Sequence, residues 1–86
     1  MAKVTIRYWA AAKEAAGVPE ESVEAPTLAA ALGAVLAARP GDDRLRQVIS
    51  RSSFLVNALP VRRTAHEETS LEDGATIEVL PPFAGG

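Results

Sequence analysis

The chain has 86 residues, enough for one modest hydrophobic core and too few for a second domain. Hydrophobic residues make up 48%, but seventeen of them are alanine, so twenty-four bulkier side chains must supply most of the burial. A formal net charge of −2 without a long like-charge block excludes a general phosphate-binding surface, and the lack of cysteine excludes disulfides, thiolate nucleophiles and sulfur-ligated metals. Any sulfur chemistry would need sulfur from outside. No apolar run approaches the roughly 20 residues that span a bilayer, and Met1-Ala2-Lys3-Val4 opens into polar alternation rather than an apolar signal core. Ala2 also excludes myristoylation, so a cytoplasmic protein with no nucleic-acid or membrane partner is expected.

Lys3 to Trp9 alternates with period two, placing Val4, Ile6 and Tyr8 on one face of a first strand. Ala10 to Ala16 consists of good helix formers and stops at Gly17, suited to the left-handed position after a helix end. Glu21 to Ala25 carries Val23 between polar neighbours and meets Pro26, which suggests a short edge strand. Thr27 then caps the main helix, whose stripe is Leu28, Ala31, Leu32, Val35 and Leu36 and which ends at Arg39-Pro40-Gly41. Asp42 or Asp43 caps a shorter helical piece through Leu45, Val48 and Ile49. Phe54-Leu55-Val56, a turn through Asn57 to Pro60, and Val61 to Thr64 read as a strand, a turn and a returning strand. Ala65 to Thr69 is irregular, Glu72-Asp73-Gly74 is a turn, and Ala75 to Leu80 is a final strand with Ile77 and Val79 inward. The class is α+β, with helices gathered on one face of a small mixed sheet.

The ending is the most unusual segment. From Val79 onward no side chain is charged, and the chain finishes Pro81-Pro82-Phe83-Ala84-Gly85-Gly86. With glycine near 7% of residues, a terminal pair arises by chance in about 0.5% of chains. The prolines lack amide donors and fix φ, so they stop sheet pairing and send the tail stiffly away from the body, with a reach of roughly 20 Å over six residues. Gly85 and Gly86 lack Cβ atoms, so the end is slim enough for a narrow channel. A carboxylate is a poor electrophile until it becomes a mixed anhydride such as an acyl-adenylate, after which Gly86 could accept sulfur. The plain alternative is a frayed terminus.

The first strand running into Trp9-Ala10-Ala11-Ala12-Lys13-Glu14-Ala15-Ala16-Gly17, the hairpin Val56 to Val61, and the Asp73-Gly74 turn followed by Pro81-Pro82-Phe83-Ala84-Gly85-Gly86 resemble the MoaD family, the small subunit of molybdopterin synthase. The resemblance spans essentially the whole chain, the Pro-Pro-x-x-Gly-Gly ending being its more specific part, and its wider relatives are ThiS-like sulfur carriers and ubiquitin. It implies a β-grasp (ubiquitin-like) fold, a small mixed sheet packed on one main helix, with the domain at residues 1–80 and a flexible Gly-Gly tail at 81–86. It further implies ATP-dependent adenylation of Gly86 by a ubiquitin-activating-type enzyme, thiocarboxylate formation with a sulfur-donating enzyme, and insertion into the large synthase subunit. There the tail would donate sulfur to precursor Z, cyclic pyranopterin monophosphate, in molybdenum cofactor biosynthesis. By the same resemblance Gly86 bears the sulfur and Gly85 gives access. The chain would be catalytic only within the complex, with no cofactor held stably and ATP consumed by the partner. Many members carry glycine after the hairpin asparagine, where Ala58 stands here, so the turn type is open.

Other candidates are weaker. His66, beside Glu67 and Glu68, has no nucleophile motif to serve and reads as a solvated loop residue. Glu67, Glu68, Glu72 and Asp73 lack the spacing of a calcium loop, and no metal site is expected. Arg39, Arg44, Arg46, Arg51, Arg62 and Arg63 form either a patch for an acidic partner or an ordinary solvated surface. Phe83, with Pro81 and Pro82, is the candidate docking centre; Leu59 joins it only if it faces outward, and both Leu59 and Leu80 read as core. Trp9 reads as packed. Two other functions share the tail: a ThiS-like carrier supplying thiazole, cysteine or siderophore synthesis, and a ubiquitin-like modifier or binding module whose end forms an isopeptide bond.

Overall fold

The computed structural model describes residues 2–62 and 65–82. Strand β1 (Lys3–Tyr8) buries Val4, Ile6 and Tyr8, as its alternation requires. The chain then turns at once into helix α1 (Ala10–Ala16), and that abrupt entry puts Ala10 at φ 49°, in the left-handed region. Gly17 at φ 81° closes α1, its N–H donating to the Lys13 carbonyl at 3.0 Å. Strand β2 (Glu20–Glu24) begins one residue earlier than expected. Ala25 is left out of it and is buried, its N–H donating to the Ala2 carbonyl at 2.9 Å.

Helix α2 (Leu28–Ala37) starts where the Thr27 hydroxyl accepts the Ala30 N–H at 3.1 Å. Leu28, Ala31, Leu32 and Val35 form its buried stripe, while Leu36 is half-buried at the margin. Helix α3 (Asp43–Arg51) is capped by Asp42, whose carboxylate accepts the Leu45 N–H at 3.0 Å, and it buries Leu45 and Ile49.

Strand β3 (Ser53–Val56) turns through Asn57 and Ala58 into strand β4, which is only Leu59–Pro60. The returning strand expected over Val61 to Thr64 is therefore corrected at Val61 and Arg62, while Arg63 and Thr64 lie outside the described residues. Both turn residues adopt left-handed φ, 50° and 67°, so the reversal takes two residues and pairing resumes at Leu59. Proline has no N–H to extend the ladder, and Val61 and Arg62 lie outside it. Strand β5 (Thr76–Leu80) follows the Asp73-Gly74 turn, which Ala75 closes by donating to the Glu72 carbonyl at 3.0 Å.

The five strands lie in the order β2-β1-β5-β3-β4. The last strand is thus the middle one, parallel to β1 and antiparallel to β3. Val4, Ile6, Tyr8, Phe54, Ile77 and Val79 point from the sheet to meet Ala12 of α1, the α2 stripe, and Leu45 and Ile49 of α3 in one continuous core. Because β1 and β5 run parallel, the exit of β5 stands beside the start of α1. That placement decides where the tail leaves the body.

Candidate site at the root of the tail

At the end of the middle strand the Trp9 N–H donates to the Val79 carbonyl at 3.3 Å, so the β1–α1 junction grips β5 just before the prolines. Pro81 and Pro82 then form one wall of a shallow groove. Its other lining is Ala11 of α1 with Arg44, Gln47, Val48 and Arg51 of α3. Arg44 and Arg51 are both on α3, seven residues and about 10 Å apart along its axis. The root of the tail is therefore laid against two helices, where the sequence suggested projection clear of the body. Phe83, Gly85 and Gly86 lie outside the described residues, while Pro81 and Pro82 line the groove against α1 and α3.

The uncovered face of the sheet carries a second feature at the same end. Trp9 is 43% exposed, which corrects the expectation that it packs. Its indole Nε1 donates to Glu78 at 3.2 Å, and the Arg7 guanidinium lies 5.3 Å from its ring centroid. Extending the period-two alternation by one residue was the signal available: Tyr8 points in, so Trp9 points out. Leu55, Leu80 and Pro60 share this face by register, giving it apolar ground around the charged pair.

Leu59 is 69% exposed at the hairpin, so the core reading of it fails and its placement as an accessible residue holds. It pairs with Val56 and so points to the helix side of the sheet, beyond the edge of the helices. It stands near a recess with Asn57, Pro60, Val61, Arg62 and Ala65, separate from the groove beside Pro81 and Pro82. Asn57 fixes this hairpin to β5, its side-chain oxygen accepting the Thr76 N–H at 3.0 Å.

Behind the site Tyr8, Glu21 and Arg39 form a strut. The Tyr8 hydroxyl donates to Glu21 at 2.5 Å, and Arg39 donates to the same carboxylate oxygen at 2.7 Å and to the Val35 and Ala16 carbonyls. Burial, then the hydrogen bond to Glu21 and its charge, push the Tyr8 hydroxyl well above its ordinary range, against a smaller opposing effect of Arg39. The hydrogen bond to Glu21 likewise holds the Arg39 guanidinium more firmly protonated. One of the six arginines of the expected patch is thus a structural tie, and Arg44 pairs with Glu14 at 3.5 Å. His66 is corrected as well, since its ring meets Phe54 edge to face at 4.9 Å. Among the described residues no group of His, Asp or Glu could hold a metal ion, and no helix is long and apolar enough to cross a membrane.

A compact mixed sheet over helices, with its middle strand leading straight into a proline-rooted Gly-Gly ending, defines a β-grasp protein of the ubiquitin-like class. The chain belongs to the ThiS family, whose profile matches residues 6–86. The small archaeal modifier protein 1 from Methanosarcina acetivorans is similar over 100% of this chain and 98% of its own, at 27% identity and a TM-score of 0.83. A chain from the complex of subunits 1 and 2 of the molybdopterin-converting factor of Helicobacter pylori is similar at 25% identity and a TM-score of 0.68, with 98% and 99% covered. The small archaeal modifier protein 1 of Haloferax volcanii shares the fold, at 20% identity and a TM-score of 0.77, with 98% and 99% covered. No curated protein sequence matches the chain. The chain therefore has the fold shared by ThiS- and MoaD-like sulfur carriers and ubiquitin-like modifiers.

Proposed function

We propose that the chain is the sulfur-carrying small subunit of a molybdopterin synthase. The observation that carries this reading is the middle strand passing through Pro81-Pro82 into an ending with no charged side chain and two glycines, on a body that belongs to a sulfur-carrier family. A Gly86 carboxylate oxygen would attack the α-phosphorus of ATP on an adenylating partner, releasing pyrophosphate. A sulfur-donating enzyme would then supply sulfide-level sulfur that displaces AMP, replacing one oxygen by sulfur. Within the large subunit the thiocarboxylate would pass that sulfur to precursor Z and return as carboxylate. Gly85 leaves the terminal carbonyl open to both partners, and Phe83, Pro81 and Pro82 with the exposed Leu59 and Trp9 offer contact surface. The similarity to a chain of the Helicobacter pylori complex supports a large-subunit partner.

Intact-mass and fragment analysis of the protein co-expressed with its adenylating enzyme should find sulfur in place of one oxygen at Gly86. Deleting Gly86 should abolish molybdopterin formation in the reconstituted synthase while leaving the melting temperature unchanged, because the tail follows the last strand of the core. Synthesis persisting in the deletion variant would end the proposal. The similarity to the archaeal modifier at 27% identity favours one second reading, a ubiquitin-like modifier whose Gly86 joins lysine amines. Covalent conjugates in cell extract, without a thiocarboxylate, would select it.

A further inference from the structure

Helix α3 carries two stripes. Leu45 and Ile49 enter the core, whereas Arg44, Gln47, Val48 and Arg51, at positions i, i+3, i+4 and i+7, share the neighbouring side and line the groove with Ala11 and the two prolines. The groove encloses about 180 Å³, and an apolar cavity of roughly 150 Å³ admits benzene, so there is room for one leucine- or phenylalanine-sized side chain. Its apolar bed is Val48 and Ala11, both half-buried. Along α3, Arg44 and Arg51 are the first and last of the lining residues, about 10 Å apart. Arg44 meets Glu14 at 3.5 Å in a pair exposed on both sides, and Arg51 makes no ion pair among the described residues. The whole chain has a net charge of −2, yet α3 holds three arginines and one aspartate. A positive helix surface therefore frames an apolar seat on an otherwise acidic protein.

We propose that this groove seats an extended acidic segment of a partner protein, with one apolar side chain set between two carboxylates. In an extended chain residues i, i+2 and i+4 face one way, and i to i+4 spans about 13 Å. The length of glutamate and arginine side chains covers the difference from the roughly 10 Å between Arg44 and Arg51. An acid, apolar, acid alternation thus sets the apolar group on Val48 and Ala11 and one carboxylate toward each arginine, whose planar fork suits a carboxylate. The prolines carry no amide hydrogen and offer the segment apolar surface only. A nucleic-acid backbone would meet the charge but has no side chain for the seat, so the groove favours a peptide. Because Pro81 and Pro82 are its other wall, the seated segment grips the body beside the point where the tail departs, on the helix side rather than on the open sheet. The proposal goes beyond the carrier reading and holds for either use of Gly86.

The test is a nuclear magnetic resonance titration of the isotope-labelled full chain with the peptide acetyl-Glu-Ser-Leu-Ser-Glu-amide. Saturable shifts are expected at the amides of Ala11, Gln47 and Val48 and at the Arg51 Nε–H, with a Kd of about 1 mM or below. Exchanging both glutamates of the peptide for glutamine, or its leucine for serine, should each weaken binding by about tenfold or more. Arg44→Gln/Arg51→Gln should do the same, whereas Arg46→Gln, which removes a charge from another side of α3, should leave the Kd unchanged. The altered peptides probe the same contacts on the unaltered chain, so the result does not hang on how the variants fold. The proposal is overturned by an absence of saturable shifts up to about 10 mM peptide. Equal losses in the Arg46 and the Arg44/Arg51 variants would also overturn it, since they would mean diffuse attraction. So would a leucine-free peptide that binds as well, or a short DNA duplex that shifts the groove signals at lower concentration than the peptide.

Discussion

Ala58 shows how one side chain can sit against its own backbone. The hairpin needs φ 67° at that position, and Asn57 before it adopts 50° while anchoring to Thr76 through both its N–H and its side-chain oxygen. Asparagine tolerates the left-handed region, whereas alanine's Cβ opposes it by about 1–2 kcal/mol. Glycine would remove that strain and give back about 0.4–1 kcal/mol through greater freedom of the unfolded chain. Ala58→Gly is accordingly expected to stabilise the fold by about 0.5–1 kcal/mol, read as a higher urea midpoint with unchanged slope. A lower midpoint would show that the strain is relieved in some other way. Asparagine followed by a residue other than glycine left the turn type open in the sequence, and the register between Val56 and Leu59 settles it.

Among the elements, the ones with a single dominant period were readable. Alternation located β1 and β5, and the stripe Leu28, Ala31, Leu32 and Val35 located α2, because each element faces one core and one solvent side. Strand β4 was not readable. Two residues display no period, and Val61 and Arg62 imitate the β-branched and polar mixture of a strand without entering the ladder. The tail root shows the same limit: two prolines signal an end to pairing, but only the parallel β1–β5 register places them against α1 and α3. Trp9 is exposed although aromatic residues usually supply core, because the alternation that buries Tyr8 turns the next side chain outward. Helix α3 depends on its cap, since Asp43–Arg51 buries only Leu45 and Ile49 and the other side is solvated. Asp42→Ala should cost about 1 kcal/mol and lower the melting temperature by roughly 5 °C. An unchanged melting temperature would mean that packing alone holds the first turn of α3.

At the scale of the molecule, the strut of Tyr8, Glu21 and Arg39 joins β1, β2 and the C-terminal ends of α1 and α2 at one carboxylate. Its contribution has a defined pH window. Tyr8 holds its proton more tightly folded than unfolded, so the unfolded chain releases it first, from about pH 10. The stability linked to the buried, protonated Tyr8 hydroxyl, from its burial first and its hydrogen bond to Glu21 second, is full below that pH and is lost as pH rises toward the raised value of the folded state. Tyr8 is the chain's one tyrosine, so its ultraviolet titration reports this group directly. The native protein should ionise it later than the urea-unfolded protein, and Tyr8→Phe should lose less stability between pH 9 and about 11 than the wild type. Coincident titration curves for folded and unfolded protein would refute the shift.

The position of β5 also bears on how the molecule is made. It is the last strand to be synthesised and the middle strand of the sheet, with β1 on one side and β3 on the other. Until the ribosome has released Thr76 to Leu80, β1 and β3 have nothing to pair across, and the hydrophobic core lacks Ile77 and Val79. The sheet therefore closes only when β5 is in place, and five residues separate that strand from Gly86. A nascent chain cut short anywhere before β5 loses its native body and its terminus together, so the synthesis of a usable end and the acquisition of a folded body are a single event.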